Sequence, residues 1–168
     1  MREVTVPAAN PTLTFASRWS IEPGWDFGVV QVSTDGGRTF RSLANTDTTS
    51  AHDPGAAEEI VRELPGVTGE SAGFRTETFD LSAYAGQTVL LAFRYLTDAG
   101  VDLPGWWIDD VAVGGTPISD GSSLEGWRSA SQVRPVPVAG FTVQLVGHRS
   151  ERRARRDGAF VRALRLGA

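Results

Sequence analysis

The sequence predicts an all-β domain, an antiparallel β-sandwich of the jelly-roll type with a short helical insertion. Three observations carry that prediction. Nineteen Gly and nine Pro punctuate the 168 residues, leaving short apolar runs between turn signals. Several runs alternate apolar and polar residues, the period of a half-buried strand. Asp35-Gly36-Gly37 stands between two such runs and supplies the positive φ angles of a tight hairpin.

Taken in order, Thr12–Trp19 alternates, with Leu13, Phe15 and Ser17 on one face and Thr14, Ala16 and Arg18 on the other. Phe27–Ser33 and Arg38–Leu43 are the arms of the hairpin. Residues 44–73 break the pattern with Asn, Asp, Thr, Ser, Pro and Gly. They read as a surface insertion carrying a helix of about two turns over Ala56–Leu64. Phe74–Phe79 resumes as a strand, and Asp80–Gly86 turns the chain. Thr88–Leu96 is a long strand with Val89, Leu91, Phe93 and Tyr95 on one face, and Trp106–Val113 is expected to pair with it across Thr97–Gly105. Phe141–Val146 alternates again. Phe160–Leu166 reads as a final strand in preference to a helix, because the rest of the chain is β. Residues 1–168 thus read as one domain, with its core over 12–146, the insertion over 44–73, an Arg-rich loop over 148–158 and the last strand over 159–166.

Composition removes whole classes of function. Without Cys there is no disulfide scaffold, thiolate zinc site, iron–sulfur cluster or cysteine nucleophile. The chain has no Lys, which excludes a phosphate loop of the Gly-x-x-x-x-Gly-Lys type. The only histidines, His52 and His148, are far apart and read as loop residues; no His-Glu-x-x-His pair is present, and the Gly-x-Ser-x-Gly pattern of Gly69–Gly73 falls in the loop-rich insertion over 44–73 and not at a strand-to-helix turn, with neither histidine in a context that would orient a serine nucleophile. Residues 149–168 hold seven Arg against Glu151 and Asp157, so the net charge of −4 divides into +5 there and −9 over 1–148. An acidic body argues against a nucleic-acid partner. No apolar run approaches the ~20 residues of a membrane span.

The carboxylates offer more. Glu22 and Asp26 flank the turn Pro23-Gly24-Trp25, and Asp109-Asp110 sits inside the apolar run Trp106–Val111. A strand alternates its side chains, so one Asp of that pair is expected to face the interior or the sheet end. A buried carboxylate requires a cation, an Arg or several amide donors. Calcium fits, as a hard cation taking several oxygens from loops. An Arg partner such as Arg18 or Arg94, or exposure at a strand end, would serve equally. Five tryptophans complete the inventory. Exposed members such as Trp25 and Trp106 could stack on a sugar ring, whereas core packing is the commoner fate of Trp.

Four collinear motifs share a pattern: Trp25–Gly37 (Trp-Asp-Phe-Gly-Val-Val-Gln-Val-Ser-Thr-Asp-Gly-Gly), Thr78–Gln87, Phe93–Asp98, and Gly105–Val111 (Gly-Trp-Trp-Ile-Asp-Asp-Val). Over about residues 12–146 they resemble the non-catalytic β-sandwich of immune inhibitor A metallopeptidases, and the closing Ile-Asp-Asp-Val resembles the last strand of MAM-type jelly rolls. The resemblance implies a secreted, extracellular accessory domain stabilised by calcium, with the catalytic domain of a parent protease or its protein substrate as partner. It also implies that Glu22, Asp26, Asp109 and Asp110 meet at the metal, with Asp98 in the Thr-Asp of the following loop as a further candidate. Since the chain carries no protease motif, the expectation is a non-enzymatic module; a polysaccharide-binding module using Trp25 or Trp106 is the alternative.

Overall fold

A computed structural model describes residues 1–135 in full and the backbone of 142–148 and 159–165. Two compact units make up the chain, Met1–Arg134 and Pro135–Ala168, where the sequence reading drew one domain.

The first unit is a sandwich of two four-stranded antiparallel sheets. One sheet runs in the order β1 (Arg2–Thr5), β6 (Thr88–Leu96), β3 (Phe27–Ser33), β4 (Arg41–Ser42). The other runs β5 (Arg75–Asp80), β2 (Thr12–Ser20), β7 (Gly105–Val113), β8 (Thr116–Ser119). The alternation read in Thr12–Trp19 is real: Leu13, Phe15, Ser17 and Trp19 are buried and Arg18 is exposed. The Asp35 hairpin also forms, pairing Gln31 with Ser42. Its second arm shrinks from the expected Arg38–Leu43 to two residues. The cause is the Asp35 carboxylate, which accepts from the N–H groups of Arg38 and Thr39 at 2.9 and 3.0 Å and holds both residues in the turn.

One pairing differs from expectation. Thr88–Leu96 does not pair with Trp106–Val113: β6 lies between β1 and β3, and β7 between β2 and β8. The Thr97–Gly105 connection therefore passes from one sheet to the other. Two short edge strands, β1 and β8, escaped the sequence reading; four residues each give too little periodicity to detect.

Between the sheets lies the core, built around Leu13, Phe15, Val30, Val32, Phe79, Leu91, Val111 and Val113. Phe15 stacks on Phe79 with ring centroids 5.8 Å apart and meets Phe93 edge-on at 5.0 Å. The insertion covers the outer face of β3. Its helix α1 is only Glu58–Val61, lacking a side-chain cap at Ala57, and it places Ile60 on Phe27 and Val29. Thus every residue of β3 is buried, which a sheet face open to water would not allow. From β8 the chain continues to a second helix, α2 (Ala130–Val133), with a complete capping box of Ser129 and Gln132.

In the second unit, β9 (Thr142–His148) and β10 (Ala159–Arg165) pair antiparallel, Thr142 opposite Arg165 and His148 opposite Ala159. Strand is therefore the state of the final segment. Of the Arg-rich loop expected over 148–158, residues 149–158 lie outside the described residues.

Candidate metal centre

Glu22, Asp26 and Asp98 converge at one end of the sandwich. One carboxylate oxygen from each lies within 4.8 Å of the other two. Local chemistry positions all three. The turn Glu22-Pro23-Gly24-Trp25 is tied down by Thr68, whose hydroxyl donates to the Glu22 carbonyl at 3.0 Å and accepts the Gly24 N–H at 3.0 Å. Asp26 follows as the chain enters β3 and is 1% exposed. Asp98 follows the end of β6, and its own N–H donates to Asp26 Oδ1 at 3.1 Å.

Asp26 receives a second hydrogen bond from the Tyr95 hydroxyl, 3.1 Å from Oδ2. The Tyr95 phenol is pushed up to about 12, first by burial and then by the adjacent Asp26 carboxylate, so it stays a donor at any physiological pH. Neither Arg18 nor Arg94, the partners considered for the Asp109-Asp110 pair, pairs with Asp26. The Arg94 guanidinium donates to Gln31 at 2.8 Å and pairs with Glu63 at 3.0 Å, and Arg18 lies over the Trp107 ring at 5.2 Å. Among the described residues no basic side chain pairs with Asp26. Three carboxylates, one of them buried, share a small volume with two neutral donors. Such an arrangement fits a hard divalent cation, which would take oxygens from Glu22, Asp26 and Asp98.

Asp109 and Asp110 lie outside that group. The alternation argument fails at them because β7 carries a bulge: Thr14 opposes Ala112 while Ala16 opposes Asp109, one extra residue on β7. Asp110 takes a left-handed conformation with φ 50° and is exposed, and Asp109 is half-buried. The Asp109 carboxylate accepts the N–H of Asp110 at 2.8 Å and rests against Gly121, where a Cβ would collide with its Oδ1.

The two tryptophans singled out are both packed. Trp106 points between the sheets, donates its indole N–H to Ser17 at 2.8 Å and packs on β3 where Gly28 has no side chain; a Cβ there would come within 2.7 Å of the ring. Trp25 is half-buried against Gly55 of the insertion. The exposed member of the adjacent pair is Trp107. His52 is exposed in a loop, its Nδ1 2.9 Å from the Asp53 carbonyl oxygen, and His148 closes β9.

One buried acid was missed. Glu77 of β5, 2% exposed, opposes Phe15 across the sheet and accepts from the Asn45 side-chain amide. Arg75 Nε stands 3.2 Å from Glu77 Oε1, too far off line for a hydrogen bond, so that oxygen has an electrostatic partner only. Burial, ahead of the nearby Asp47 charge, pushes its carboxyl above the usual carboxylate range. The signal was present in the sequence: Glu77 stands two residues before Phe79, hence on the same face.

Two antiparallel sheets packed face to face, with an acidic cluster in the loops at one end, place the first unit among β-sandwich domains. Within that class the chain belongs to the immune inhibitor A-like MAM domain family, whose model matches residues 2–131. It is also 37% identical, over 111 residues, to the pre-pro-metalloprotease PrtV of two strains of Vibrio cholerae serotype O1. That match covers 66% of this chain and 11% of the relative, so the chain spans about a tenth of the length of the curated relatives it matches.

Proposed function

We propose that this chain is a non-catalytic accessory module of an extracellular metallopeptidase, stabilised by calcium held at Glu22, Asp26 and Asp98, and that it contacts the catalytic domain or the protein substrate of its parent protease. The observation that carries the metal is Asp26, nearly excluded from water beside two further carboxylates and without a basic partner among the described residues. Calcium would neutralise the three charges and join the turn before β3 to the connection after β6, fixing the end of the sandwich from which that connection crosses to the other sheet. Membership of a MAM family related to a pre-pro-metalloprotease supports the extracellular, protease-associated setting. The packed positions of Trp25 and Trp106 give a sugar-stacking role less support.

Thermal denaturation in calcium against EDTA tests the metal. With free calcium a hundredfold above its dissociation constant, binding to the folded state alone adds about 2.7 kcal/mol. A melting temperature that millimolar calcium does not move would refute the site. Casein hydrolysis by the purified chain, abolished by a chelator and absent from a mock preparation, would refute the non-catalytic reading.

A further inference from the structure

A cavity of about 450 Å³ opens along one edge of the first unit, within the ~300–1,000 Å³ of small-molecule sites. Its floor is the sandwich interior: Phe93 of β6 and Ile108 and Val111 of β7, all packed on the main core. Its roof is the stretch between β8 and α2. Trp127 hangs from that roof onto Phe93, ring centroids 5.5 Å apart, and the guanidinium of Arg2 lies over its outer side at 5.9 Å. The roof is itself anchored, for the Arg128 N–H donates to the Met1 carbonyl at 2.7 Å and Ser129 caps α2. Along Phe93, Ile108 and Val111 the wall offers water no side-chain hydrogen-bond partner, while Ser119, Ser123, Ser129 and Gln132 line the rest, and Leu124, 83% exposed, extends the apolar surface outward.

Charge at the opening narrows the ligand. Among the described residues Arg128 is the one charged side chain lining the cavity, and no carboxylate lines it. In a chain of net charge −4 a cation over an apolar slot selects for an anion with a hydrocarbon tail. We infer that this cavity binds a medium-chain aliphatic carboxylate, its tail between Phe93, Ile108, Val111 and Trp127 and its carboxylate on the Arg128 guanidinium. The site is separate from the calcium reading and stands without it.

Isothermal titration of the full chain with octanoate, decanoate and decyltrimethylammonium tests the inference below their micelle concentrations. Decanoate is expected to bind saturably, and each added methylene to tighten binding about fourfold, the worth of one buried CH₂. Arg128→Gln should weaken decanoate several-fold, and Ser119→Phe or Gln132→Trp, which fill the cavity from floor and roof, should abolish binding while the melting temperature confirms a folded protein. Three results would overturn it: no heat of binding with decanoate, undiminished binding in both filled variants, or decyltrimethylammonium binding as tightly as decanoate.

Discussion

Asp26 and Glu77 are two acids buried in the same sandwich, one at the entry to β3 and the other inside the edge strand β5, and their surroundings are opposite. Around Glu77 the fold supplies its own compensation. Arg75 stands against Oε1 and also donates to Asp47 at 2.8 Å, and the Asn45 amide donates to Oε2. Around Asp26 it supplies a phenol and one backbone N–H, then adds two more carboxylates. Burial is thus the same in both regions, and what separates them is the count of positive charge within reach. A carboxylate already facing a guanidinium has little to gain from a metal, whereas three carboxylates facing only neutral donors have much to gain.

The sharpest way to break this contrast is to remove each acid and read the response to calcium. Asp26→Asn keeps the shape and should erase the calcium-dependent rise in melting temperature, about 2.7 kcal/mol at a hundredfold excess over the dissociation constant. Glu77→Gln should leave that rise intact. If both variants lose it, the two regions are not distinct and the contrast fails.

Next in size comes the self-compensated side. Arg75→Ala strips Glu77 of its only cationic neighbour among the described residues and is expected to cost about 1–2 kcal/mol in chemical denaturation, at the low end because the Arg75 side chain is 48% exposed. The cost should be independent of calcium. A smaller effect is the pH slope. The folded-state pKa of Glu77 is raised, so its contribution to stability is full below the ordinary carboxylate range and is lost as pH rises through the folded-state value. Glu77→Gln should flatten stability against pH across that interval. A slope that survives the substitution would assign it to another group.

These residues also show where sequence reading works. The interior face of β2 was legible from Leu13, Phe15 and Ser17, since one side of that strand meets the core and the other meets water. The full burial of β3 was not, because its outer face is covered by Ile60 from an insertion whose docking no local pattern encodes. Trp106–Val113 was assigned to the wrong neighbour because adjacency along the chain favours a hairpin, while this connection crosses between sheets. In the site, Glu22 and Asp26 were visible as acids around a Pro-Gly turn and Asp98 as the acid after a strand end. Asp109 and Asp110 stand apart from that group at a bulge, which shifts the period that the argument depended on.

That bulge provides the smallest predicted effect and the finest test of where the metal sits. The family resemblance implies that Asp109 and Asp110 ligate it; the geometry leaves them to other tasks, Asp109 accepting the next residue's N–H and Asp110 occupying a left-handed turn. Asp110→Gly should therefore be neutral or stabilising by about 0.5–1 kcal/mol, since glycine adopts that conformation without a Cβ penalty. Asp109→Ala should leave the calcium-dependent shift in melting temperature unchanged. Loss of the shift in Asp109→Ala, with Asp26→Asn behaving normally, would move the ion from the entry of β3 to the β7 bulge and make the buried Asp26 a carboxylate held by Tyr95 and Asp98 alone.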